Sequence, residues 1–101
     1  MTSFKVIDKQ GVPIQTDVVL HPGEVLAMEL EARQIKKADF AAQLGTKPSQ
    51  LSELLHGKRH ISAQMAIRLE NVLGIDAEFW MRVQTAFDIA AERRNLADIA
   101  G

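Results

Sequence analysis

KKADFAAQLGTKPSQLSELLHGKR, residues 36–59, is the stretch that decides the fold. Its apolar spacing predicts a helix over 37–44, with Phe40, Ala41 and Leu44 on one face. A second helix is predicted over 48–56, with Leu51, Leu54 and Leu55 on one face. Gly45 lies where a helix end favours a residue at positive φ. Pro48 lies where a first helical position tolerates a missing N–H. Helix, glycine turn, helix is the arrangement of a DNA-reading helix-turn-helix, and equally of a plain structural helical hairpin.

The charge distribution bears on that choice. The chain has 101 residues and a net charge of −1, which does not by itself point to nucleic acid. Residues 1–32 hold two basic against five acidic groups, and 33–59 hold six basic against two acidic. The positive charge therefore gathers on the two-helix stretch, as a phosphate-facing surface requires. A solvated charge run would look the same in sequence. The length fits one domain. Without cysteine there are no disulfides, thiolate metal sites or cysteine nucleophiles, and a reducing cytosol fits. The N-terminus MTSFKVIDKQG is unlike a signal peptide, and no apolar run reaches the length of a membrane span.

Working outward, residues 1–20 read as an extended arm. Phe4, Val6 and Val18 to Leu20 suggest a short strand or hairpin about the turn at Gly11, Val12 and Pro13. His21, Pro22 and Gly23 open a helix whose inner face carries Val25, Leu26 and Leu30, with Met28 as a weaker candidate, and which ends near 32–34. After the two-helix stretch, Gly57 acts as a terminator and Ser62 as the N-cap of a fourth helix. Met65, Ala66, Leu69, Val72 and Leu73 form that helix's buried stripe, and Gly74 stops it. Asp76 is expected to cap a fifth helix, with Phe79, Trp80, Val83 and Phe87 on its apolar face. Residues 96–101 are expected to fray. The result is an all-α, five-helix domain over 21–95.

If the two-helix stretch reads DNA, its candidate contacts follow from groove geometry. Lys47, Ser49, Gln50, Ser52 and Glu53 lie early in the second helix. Gln50 suits a bidentate contact to adenine, Lys47 guanine or phosphate, and Glu53 cytosine N4. Lys37, Lys58, Arg59 and the helix start at Ser62 are placed for phosphates. Lys47 is a poor N-cap for the reading helix, and Thr46 is a possible substitute. Trp80, Gln84 and Asp88 share one face of the last helix. They read as a structural or dimer-packing stripe rather than as chemistry. No constellation of nucleophile, base and orienter is recognisable, and His56 and His60 are separated by Gly57 and make no ready metal pair. No catalytic residue, metal or cofactor is implied.

Three segments together resemble the HigA-type antitoxins, a branch of the phage-repressor-like helix-turn-helix proteins. They are HPGE at 21–24, LSELLHGKR at 51–59, and MAIRL at 65–69 followed by FWMRVQ at 79–84 with Phe87 and Asp88. The resemblance covers about residues 21–91. The chain departs from it in Lys47 for a capping Ser, His56 for Asn and Phe87 for Tyr. The resemblance implies a lambda-repressor-like fold and a bacterial, cytoplasmic protein that is not an enzyme. It implies a homodimer on a palindromic double-stranded operator, where the chain represses its own toxin–antitoxin operon. It further implies neutralisation of a HigB-type toxin that cleaves mRNA. Within such a dimer the last helix, with Phe79, Trp80, Val83, Gln84, Phe87 and Asp88, is expected to supply structural or dimer contacts, as its helical spacing suggests. The other reading is a stand-alone helix-turn-helix repressor with no cognate toxin.

Overall fold

The computed structural model describes residues 19–100, so the expected arm lies outside the described residues except for Val19 and Leu20. Five helices follow in order: α1 (Pro22–Ala32), α2 (Lys37–Leu44), α3 (Pro48–Leu55), α4 (Ala63–Leu73) and α5 (Ala77–Ala100). There is no strand among the described residues.

Each helix start and stop has a local cause. His21 caps α1 by accepting from the Gly23 N–H through Nδ1 at 2.9 Å, while Glu24 Oε1 accepts from the His21 N–H at 2.9 Å. The pair satisfies two donors that a helix start leaves orphaned, with histidine in the role usually taken by Ser or Thr. α1 ends without a glycine. Gln34 takes the left-handed conformation at φ 58°, and the Ile35 N–H reaches back to the Leu30 carbonyl at 2.9 Å. Gly45 ends α2 at φ 78°, as expected. Ser62 caps α4 by accepting from the Met65 N–H at 3.1 Å. Asp76 marks the start of α5 through its carbonyl, which accepts from Phe79 and Trp80. α5 remains helical through 96–100, the stretch expected to fray.

α3 exposes one face because its other face fills the core. Leu51, Leu54 and Leu55 are buried with Leu26 and Leu30 of α1 and Phe40 and Leu44 of α2. Leu69 and Leu73 of α4 close the cluster, and Trp80, fully buried, brings α5 onto it. Gly23 sets how closely α1 approaches α3: a Cβ there would overlap the Leu54 carbonyl oxygen. Arg33 ties the far ends of α1 and α4 by donating to the Leu73 carbonyl at 3.0 Å. α5 packs along α4 over its first half, and from Glu92 to Ile99 every side chain is exposed.

Candidate nucleic-acid interface

On α3 the buried leucines at 51, 54 and 55 leave Ser49 and Glu53 on the opposite line of the helix, both exposed. Lys47 and Pro48 at the helix start, and Ser52 and His56 on the flank, are exposed as well. Lys37 is exposed at the first position of α2. Lys58, Arg59 and Ser62 follow in the exposed turn between α3 and α4. Eight of the nine expected contacts are thus exposed, seven on α3 and the turns that flank it and Lys37 at the start of α2.

Gln50 is the exception, being half-buried and turned inward. Its Oε1 accepts from the Thr46 hydroxyl at 2.7 Å and from the Lys47 N–H at 3.3 Å. A backbone N–H only donates, so the amide oxygen must face it, and only the Nε2 donors remain. Bidentate contact with adenine needs both the oxygen and the nitrogen. In this arrangement Gln50 does not offer that pair. It supplies one half of a capping box by accepting from the Lys47 N–H, and the other half is missing because the Lys47 ammonium has no lone pair to accept with. Thr46, expected as the substitute cap, contributes by donating to Gln50 instead.

Two other expectations are refined. Glu53 does not stand alone: Arg59 donates to it through Nε at 2.6 Å. Arg33, one of the six basic groups that marked this stretch as positive, is committed to Leu73 and Glu29 and lies outside the α3 face. Arg68 takes a place there that its position in sequence did not suggest. It reaches the Gly45 carbonyl at 3.4 Å and, with Thr46, Gln50, Arg59 and Ser62, lines a polar cleft of about 230 Å³ between α3 and α4. No local pattern marks Arg68, because its partner lies 23 residues away.

Beneath the turn after α3 lies a polar scaffold. Gln84 of α5 is 3% exposed. Its Oε1 accepts from the Ile61 N–H at 2.6 Å, and its Nε2 donates to Asp88 Oδ1 at 2.9 Å and to His60 Nδ1 at 2.8 Å. Every hydrogen-bonding atom of the amide is thereby used, as burial requires. The His21 ring meets Phe87 edge-on at 4.8 Å and lies against Gly57. Burial pushes the His21 pKa below its ordinary value, and the neighbouring His60 adds to the shift, with Glu24, Asp88 and a backbone hydrogen bond to Arg59 opposing it. Trp80 is wholly internal, and its indole N–H finds no acceptor among the described residues. Trp80 and Gln84 are therefore interior groups that hold the turn, and a second copy of the chain cannot reach them without opening the domain. Phe79, Val83 and Phe87 are half-buried, and Asp88 is exposed beside Gln84.

An exposed polar helix face set on a leucine-filled hairpin, with basic groups at its start and in its turn, defines a helix-turn-helix DNA-binding domain. The helix-turn-helix family model matches residues 26–80, and the chain belongs to that family. A Pseudomonas aeruginosa antitoxin HigA solved with the higBA promoter is similar, at 34% identity over 81% of this chain and 91% of that one, TM-score 0.74. A HigA-family addiction module antidote protein from Coxiella burnetii is similar at 32% identity over 79% and 88%, TM-score 0.74. Among curated relatives, virulence-associated protein I of Dichelobacter nodosus is 37% identical over 71 residues, 69% of this chain and 66% of the relative. The HigA-type resemblance in the sequence is thus matched in the structure. No described helix is long and apolar enough to cross a membrane.

Proposed function

We propose that the chain is a sequence-specific DNA-binding antitoxin that represses its own toxin–antitoxin operon in the bacterial cytoplasm and neutralises a HigB-type toxin. The observation that carries the DNA half is the exposed face of α3, with Lys37, Lys47, Lys58 and Arg59 around it. The family adds its support, since a similar HigA was solved on promoter DNA. Lys37, Lys58 and the helix start at Ser62 suit phosphates, while Ser49 and Lys47 suit base edges. The toxin half rests on family likeness alone.

Operator binding as a homodimer places two copies of α3 in successive major grooves, about 34–36 Å apart. Support for a dimer lies on the outer side of α4 and α5. Ile67, Met81 and Ile89 line an apolar groove of about 940 Å³ whose rim carries Glu70, Glu78 and Arg82. A rim of both signs suits a self-complementary, two-fold contact. Sedimentation of wild type against an Ile67→Glu, Ile89→Glu double variant tests this, and an unchanged dimer in the variant would exclude the groove.

Two experiments separate the functions. Gel shifts with DNA from upstream of the gene test operator binding. Co-expression with the adjacent small reading frame tests neutralisation. A toxic neighbour rescued by this chain supports the antitoxin, whereas a harmless neighbour with intact operator binding leaves a stand-alone repressor.

A further inference from the structure

Glu53 and Arg59 are joined twice. Gly57, at φ 76°, reverses the chain after α3, a conformation that side chains with a Cβ rarely adopt. The reversal lets the Lys58 N–H bond the Glu53 carbonyl at 2.8 Å and the Gly57 N–H bond the Leu54 carbonyl at 3.1 Å. The backbone just before Arg59 is thus fastened to Glu53 itself. The side chains then close the loop, with Arg59 Nε donating to Glu53 Oε1 at 2.6 Å. Both side chains remain 49% exposed. Glu53 lies with Ser49 on the outward line of α3.

We propose that Arg59 is a specificity-determining residue that reads a guanine edge in the major groove, and that Glu53 is its positioning residue and contacts no base. The inference rests on the DNA reading above and alters the roles within it. An exposed ion pair adds little to stability, so its consequence is geometric. Glu53 takes the Nε–H and leaves the end of the guanidinium, where Nη1 and Nη2 form a fork of two parallel donors. Guanine O6 and N7 form the matching pair of acceptors. The tether holds the fork beside Glu53, on the outward line of α3 in its second half, on the face that a major groove would meet. An arginine free on the turn would spread over the flanking phosphates. Pairing also neutralises Glu53, so a carboxylate at the centre of the face no longer repels the DNA.

The test uses the full chain and its preferred duplex, selected from a randomised pool, with each base pair then replaced in turn. Thermal unfolding checks that every variant is folded. Arg59→Ala and Arg59→Lys are expected to lose discrimination at one G·C pair by roughly ten- to a hundredfold. Glu53→Ala is expected to lose discrimination at that same pair by several-fold while its affinity for unrelated duplexes rises, and Glu53→Gln, which keeps the acceptor, retains most of it. A phosphate contact gives a different result: Arg59→Ala weakens all duplexes alike, and Arg59→Lys behaves as wild type. That outcome overturns the proposal, as does a Glu53→Ala effect confined to a different base pair. A wild-type chain with no sequence preference removes the DNA reading and this inference together. A wild type that discriminates, with Arg59 variants that discriminate equally well, removes this inference alone.

Discussion

The outward line of α3 and the inward line of α5 look alike in sequence and differ in the folded chain. Each carries polar side chains at helical spacing beside large apolar ones. On α3, Ser49 and Glu53 face solvent and the leucines behind them fill the core. On α5, Gln84 is buried with Trp80, and its amide is spent on Ile61, His60 and Asp88. The first surface has donors and acceptors to offer a ligand, and the second has spent its own on the turn that carries Arg59. Periodicity identifies a face, but the partner elements decide whether that face reads or supports.

The largest effect expected on the supporting side comes from Trp80→Ala. Truncating the fully buried indole should destabilise the domain by about 3–5 kcal/mol in urea unfolding. Its N–H has no partner among the described residues, so the loss is one of packing and Trp80→Phe should cost much less. Gln84→Ala comes next. It strands the Ile61 N–H and should cost about 1–3 kcal/mol, with DNA affinity lost only in proportion to unfolding. If Gln84→Ala altered base preference in a fully folded protein, the division between the two faces would fail.

On the reading side, Lys37→Ala should leave the unfolding midpoint in place and weaken binding to all duplexes alike. The slope of log affinity against log salt should fall by about one. A change confined to one base pair would instead make Lys37 a reader. The smallest expected effect is a pH dependence of the scaffold. The His21 pKa is lowered on folding, so the unfolded chain takes up its proton first as pH falls. Its contribution is whole above about 6.5 and is lost as pH drops from there through the lowered folded value. Unfolding free energy should decline over that range in wild type and decline less in His21→Asn. An equal decline in both would exclude His21 as the cause.

What the sequence made legible was local. The limits of α2, the reversals at Gly45, Gly57 and Gly74 and the cap at Ser62 depend on neighbouring residues and were readable from them. Histidine as the cap of α1 escaped because His is a rare choice there. The end of α1 at Ala32 falls within the expected 32–34, but the left-handed turn at Gln34 escaped because no glycine marks it. The inward turn of Gln50 follows from its bonds to the Thr46 hydroxyl and the Lys47 N–H, and the sequence displayed the weak cap at Lys47 without showing that turn. Arg33 to Leu73, Arg68 to Gly45 and Gln84 to Ile61 join residues 40, 23 and 23 apart, and no local pattern carries such pairings. The basic patch was therefore legible as a charge excess, but not which of its arginines faces outward.

DNA reading by α3 underlies every role assigned to the interface residues. Gel-shift titrations of the upstream duplex and of a shuffled duplex of equal composition, from about 50 to 200 mM salt, test it directly. The expected result is tighter binding to the native duplex at every salt concentration, with log affinity for both falling linearly as log salt rises. Equal affinity for the two duplexes, or binding that salt does not weaken, would contradict it.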